Sequence, residues 1–119
     1  MAKIPPRGRM PEEKYTVRIS RDVETGVVVA EYWQKDGTEH RDGAPALIRR
    51  DGVTEMVVQE AWFQKGKLHR DDGPAEILRK AETGQVYYSA WYKDGVKIKP
   101  PPNAKRPTGS PRPSPPKPR

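Results

Sequence analysis

The chain has 119 residues, a hydrophobic share of 33% and a mean hydropathy of −1.00, which allows one domain and leaves part of the chain expected to be unfolded. It contains no cysteine, so disulfides and thiolate metal sites are excluded. The net charge of +7 is unevenly placed: residues 1–14 contribute +2, residues 15–98 contribute −1 and residues 99–119 contribute +6. The segment expected to fold is therefore nearly neutral, and a nucleic-acid footprint is confined to the ends.

Residues 1–14 read as a flexible arm. Lys3, Arg7 and Arg9 have no apolar run behind them, so no cleaved signal is expected. No stretch approaches the roughly 20 apolar residues of a membrane helix. The expectation is a soluble, cytoplasmic protein with no membrane partner.

Residues 15–98 carry an internal repeat. Trp33, Trp62 and Trp91 are spaced 29 residues apart, and Gly37, Gly66 and Gly95 follow them in step. Thr25, Thr54 and Thr83 precede them at one common offset, as do Ile19, Ile48 and Ile77 and then Arg21, Arg50 and Arg79. Residues 15–43 and 44–72 share 12 identities in 29 ungapped positions, including His40/His69, Arg41/Arg70 and Asp42/Asp71. The third copy, 73–98, keeps the Trp and the glycine turn but has Ile98 and Lys99 in place of His and Arg.

Each copy parses in the same order. A short strand (16–21, 46–50, 75–79) alternates apolar and polar residues, the period of a half-buried strand. A turn follows at Glu24-Thr25-Gly26 and Glu82-Thr83-Gly84, where glycine allows the positive φ of a reversal. A longer strand (27–34, 56–64, 85–93), rich in Val, Tyr and Trp, ends in a second turn at Gly37, Gly66 or Gly95. The segment after it contains Pro45 or Pro74, which suits a strand entry or an edge. No helical periodicity persists. The expected fold is all-β: an antiparallel meander of three 29-residue β-hairpin repeats, with about six strands and a disordered, basic, Pro-rich C-terminal tail.

The run Trp62-Phe63-Gln64-Lys65-Gly66-Lys67-Leu68-His69-Arg70-Asp71-Asp72-Gly73-Pro74-Ala75 resembles the MORN-like β-hairpin repeats of bacterial and phage proteins, some of them YwqK-like antitoxins. The resemblance covers residues 15–98. It implies the same all-β repeat fold and a non-catalytic protein that inhibits by occluding a partner, of the antitoxin or phage counter-defence kind. The chain departs from the family in its 29-residue period and in Ile98 and Lys99 of the third copy, and lipid binding is not carried over.

Chemistry has few footholds. His40 and His69 are the only histidines, and their equivalent placement makes them structural, bonding to backbone near the loop before Gly-Pro. Asp42, Asp71 and Asp72 lie beside Arg41 and Arg70 and are expected to form ion pairs within the loop, since calcium-loop spacing is missing. No serine has a nucleophile motif around it, so neither an enzyme nor a cofactor or metal is expected. The long strands are apolar on both faces, one carrying Trp33, Trp62 and Trp91, the other Tyr32, Phe63, Tyr88 and Tyr92. A single-layer sheet cannot bury both faces, so the second aromatic set is the expected protein-binding surface.

Residues 99–119 contain nine prolines and no acidic residue, and are expected to be extended and polyproline-like. Arg112-Pro113-Ser114-Pro115-Pro116 has the form of an SH3 ligand, and Lys99, Lys105, Arg106, Arg112, Lys117 and Arg119 would carry phosphate contact in an alternative, nucleic-acid-binding role. A further alternative is a structural homo-oligomer joined through open sheet edges or the apolar face.

Overall fold

The computed structural model describes residues 11–102. Among these it is all-β and antiparallel, with ten strands and no helix. The strands are β1 (Thr16–Arg21), β2 (Val28–Lys35), β3 (Thr38–Glu39), β4 (Leu47–Arg50), β5 (Val57–Ala61), β6 (Phe63–Gln64), β7 (Lys67–Leu68), β8 (Glu76–Arg79), β9 (Val86–Lys93) and β10 (Val96–Ile98). One sheet runs in the order β1-β2-β4-β5-β8-β9-β10, with β3 pairing β2; β6 and β7 pair with each other.

The strand count exceeds the six expected from the sequence for two local reasons. First, the chain reverses over Asp36-Gly37, Lys65-Gly66 and Asp94-Gly95, each pair with two positive φ values between 48° and 82°. That is the two-residue hairpin loop whose twist matches the flanking strands. The residues that follow are thereby laid back along the strand just left, forming β3, β7 and β10. Secondly, the ladder is interrupted at Trp62, which separates β5 from β6. The Trp62 N–H donates instead to the Ala75 carbonyl at 2.7 Å, as the Trp33 N–H does to Ala46 at 2.7 Å.

Register places the two faces. Across the sheet Ile19, Glu31, Ile48, Glu60, Ile77 and Ser89 form one continuous row, so the Trp-bearing face alternates isoleucine with a polar residue. On the opposite face, Arg18, Tyr32, Leu47, Ala61, Glu76 and Ala90 form a second row, and Ser20, Ala30, Arg49, Gln59, Leu78 and Tyr88 a third. Irregularities fall at Ser20/Arg21, Arg49/Arg50 and Leu78/Arg79, where a bulge sharpens the local twist before each turn.

Every substantial contact between elements is between strands that neighbour one another in a sheet. Among the described residues the buried hydrophobic side chains are Ala30, Ala46, Ala61, Ala75, Ile77 and Ala90, and no large side chain is completely enclosed. The core is thus a thin seam of alanines along the sheet, where small side chains let adjacent loops and strands close on the backbone.

Candidate functional site

Two surfaces compete for attention: the loop side of the Trp face, and the opposite face with its aromatics. On the loop side the chain builds the same latch twice. The Arg41 guanidinium lies 3.6 Å from the Trp33 ring centre, and Arg70 lies 3.8 Å from that of Trp62. Each is fixed there by donating Nη1 to a carbonyl, Arg41 to Pro45 at 3.2 Å and Arg70 to Pro74 at 3.1 Å. The stack covers the indole with a cation that keeps its hydrogen bonds. Tyr15 adds an edge-on ring to Trp33 at 5.6 Å, a contact that the sequence did not signal.

The histidines reach further than their own loops. The Lys65 N–H donates to His40 Nδ1 at 3.0 Å, and the Asp94 N–H donates to His69 Nδ1 at 3.0 Å. Each acceptor satisfies the first residue of a hairpin turn 25 positions later. Both His are therefore held as the tautomer with the proton on Nε2, facing Asp42 Oδ1 at 3.4 Å and Asp71 Oδ1 at 3.2 Å. The bond to backbone was anticipated, but it ties one loop to the next turn rather than closing the loop on itself.

The expected Arg–Asp pairs rearrange for a related reason. Neighbouring residues in extended chain point to opposite sides. Arg70 accordingly pairs with Asp72 at 3.0 Å, while Asp71 turns to His69 and to Lys93 at 3.3 Å. Asp42 turns to His40 and accepts from Gln64 at 3.2 Å and from the Tyr15 hydroxyl at 3.3 Å. The Gln64 bond, with His40 nearby, holds the Asp42 carboxyl below the usual carboxylate range; the Lys93 and His69 bonds do the same for Asp71. Between the two loops opens a cleft of about 650 Å³, lined by Asp42, Trp62, Gln64, His69, Arg70 and Asp94 among others. Its aspartates are paired within the chain, Asp42 with His40, Asp71 with His69 and Lys93, Asp72 with Arg70 and Asp94 with His69. Among the described residues no group of three His, Asp or Glu side chains converges as a metal site would require.

The Trp face is closed by a second set of pairs. Arg50 meets Glu31 at 2.7 Å and Arg79 meets Glu60 at 3.0 Å, each reaching back to the preceding long strand. Burial opposes ionisation of Glu31, but hydrogen bonds from the Trp33 Nε1–H and from Arg50 outweigh it and keep the carboxyl below its ordinary range. The glutamates between isoleucines thus have partners.

The aromatics singled out from the sequence sit on the other face. Tyr32 lies on β2, Phe63 on β6 and Tyr92 on β9, all half-buried, and Tyr88 of β9 is exposed. They share a face but do not stack: among the described residues the one aromatic ring pair is Tyr15 with Trp33. Leu47 lies opposite Tyr32 and Leu78 opposite Tyr88, with Arg49, Gln59 and Glu76 on the same face between the two pairs, and basic side chains flank the edges, with Arg18 5.9 Å from the Tyr32 ring and Lys97 5.8 Å from that of Tyr88. Sequence reasoning missed both leucines because they lie on the short strands, where alternation had drawn notice to the isoleucine face. Among the described residues no arginine stacks on Trp91 of β9, and Lys99, exposed just beyond β10, takes the sequence position of Arg41 and Arg70. Lys105, Arg106, Arg112, Lys117 and Arg119 lie outside the described residues. No known protein family, curated protein or solved structure matches the chain.

Proposed function

We propose that the chain is a non-catalytic, protein-binding β-repeat, made of three hairpin units over residues 15–43, 44–72 and 73–98, that occludes a partner through the face bearing Tyr32, Phe63, Tyr88 and Tyr92. The observation that carries this reading is a sheet face with Tyr, Phe and Leu side chains and no second layer packed across it among the described residues. The Trp face pairs Glu31 with Arg50 and Glu60 with Arg79 and has its indoles capped by arginine on two of three strands, so it offers less to a partner. The aromatic face offers two apolar groups, Tyr32 with Leu47 and Tyr88 with Leu78, set among Arg49, Gln59 and Glu76 and flanked by Arg18 and Lys97, a mixture of aromatic anchors and polar groups that suits a protein interface. An inhibitor of the antitoxin or phage counter-defence kind, suggested by the MORN-like resemblance, needs no more than such a surface.

The test is a tagged pull-down from the native host with nuclease present, using the full chain, a chain ending at Ile98, and the full chain carrying Phe63→Ala or Tyr92→Ala. A discrete protein retained without the tail and lost with either alanine, at unchanged melting temperature, supports the reading. Recovery that depends on residues 99–119 or on nucleic acid overturns it in favour of a nucleic-acid accessory role.

A further inference from the structure

We propose that a second copy of this chain adds its β1 to the free half of β9, extending the sheet head to tail. The inference uses the edges of the sheet, shares only Tyr88 with the aromatic face, and does not depend on the reading above.

Each long strand takes two partners on one edge. β2 takes β3 at residues 34–35 and β4 at 30–32, and the β5–β6 stretch takes β7 at 63–64 and β8 at 59–61. β9 takes β10 at residues 91–93, and residues 86–90 have no strand on that edge among the described residues. At the other end β1 pairs, among the described residues, only with β2, and all six of its residues are exposed. Among the described residues the sheet thus has a socket for a short strand at its β9 edge and a short strand without a socket at its β1 edge.

The backbone groups match. The Trp33 N–H donates to β4's side of the sheet, so by the alternation of antiparallel strands Glu31 also turns its N–H and C=O that way. Ser89 holds the corresponding place in β9, and in β1 Ile19 turns away from β2 by the same alternation. In the assembled pair Ile19 lies opposite Ser89, as Ile48 lies opposite Glu31 and Ile77 opposite Glu60. Ser20 then faces Tyr88 and Arg18 faces Ala90, and the new ladder ends there because Trp91 is already paired with Ile98 of β10.

The apolar surface matches as well. Seven large hydrophobic side chains stay exposed among the described residues, and four of them line these two edges: Val17 at 40%, Ile19 at 48%, Tyr87 at 61% and Tyr88 at 38%. The chain's own continuation is a poorer occupant, because it carries Arg106 and Pro107 at the sequence positions of Ile48 and Arg49. Proline has no N–H to give a ladder. Because the two surfaces differ, the contact is heterologous and builds an open series. It is weaker than the internal junctions: Ser89 stands where Glu31 and Glu60 receive Arg50 and Arg79, so the incoming Arg21 finds no carboxylate.

Sedimentation velocity of the full chain over a concentration series tests this, with a mass rising above 13.5 kDa expected. Ile19→Pro and Ser89→Pro each remove an N–H that faces outward, leaving the bonds within the chain intact, and circular dichroism checks that both fold. Each alone is expected to stay monomeric, while their equimolar mixture forms a dimer and stops, having one intact β1 edge and one intact β9 edge. Ser89→Glu keeps every backbone group and is expected to tighten assembly about tenfold by supplying the missing carboxylate. A wild-type chain that remains monomeric throughout, a proline variant that assembles like wild type, a mixture that stays monomeric, or a Ser89→Glu chain that is no tighter would overturn the proposal.

Discussion

Glu55 occupies a backbone conformation meant for glycine. In the turn after β4 its φ is +63°, while the matching residues after β1 and β8 are Gly26 at +77° and Gly84 at +76°. An L-residue in that region costs about 1–2 kcal/mol from crowding of Cβ against its own backbone. Glycine gives back about 0.4–1 kcal/mol through the greater freedom of the unfolded chain. Glu55→Gly should therefore stabilise the protein by about 0.5–1 kcal/mol, which for a domain of this size raises the melting temperature by about 3–6 °C. The Glu55 side chain is exposed, so few contacts are forfeited. Gly26→Ala is the counterpart: an added Cβ there meets nothing within 4 Å, so any loss is backbone strain alone, about 1 kcal/mol. Thermal unfolding followed by circular dichroism measures both. A Glu55→Gly protein that melts at or below the wild-type temperature, with Gly26→Ala neutral, would refute the argument that φ governs these turns.

His40→Ala should cost about 2–3 kcal/mol in chemical denaturation, because His40 is buried and its loss leaves the Lys65 N–H without its acceptor. Arg79→Ala should cost about 3 kcal/mol, since it strands the part-buried Glu60 carboxylate between two isoleucines. Acid should destabilise the fold through its turn and loop aspartates. Backbone N–H groups of Thr25 and Glu24 hold Asp22 below the usual range, and those of Thr54 and Val53 do so for Asp51. Their folded pKa values lie below the unfolded ones, so the stabilisation is present above the unfolded value near pH 4 and is lost as pH falls through the depressed folded values. The double change Asp22→Asn and Asp51→Asn should flatten the fall in melting temperature between about pH 5 and pH 2; an identical acid slope would exclude these two groups as its source.

Features set by neighbouring residues were legible without coordinates. The strand over residues 16–21 follows from strict alternation, and it is β1. The hairpin turns follow from Asp-Gly and Lys-Gly pairs, and they carry the positive φ values those pairs allow. The 29-residue spacing of Trp, Gly, Thr, Ile and Arg was likewise a property of the sequence alone. Features joining distant residues were not legible. Nothing local says that His40 will accept from Lys65, that Arg41 will lie on Trp33 instead of pairing with Asp42, or that Arg50 will reach back to Glu31. These contacts span 8 to 25 positions and exist only once the strands are in register. The same holds for the aromatic surface: the sequence placed Tyr32, Phe63, Tyr88 and Tyr92 on one face by parity, but only the register set Leu47 beside Tyr32 and Leu78 beside Tyr88. Alternation and turn chemistry act through the backbone of a few residues, whereas a surface is defined by which strand lies beside which, and that is decided by the assembled sheet.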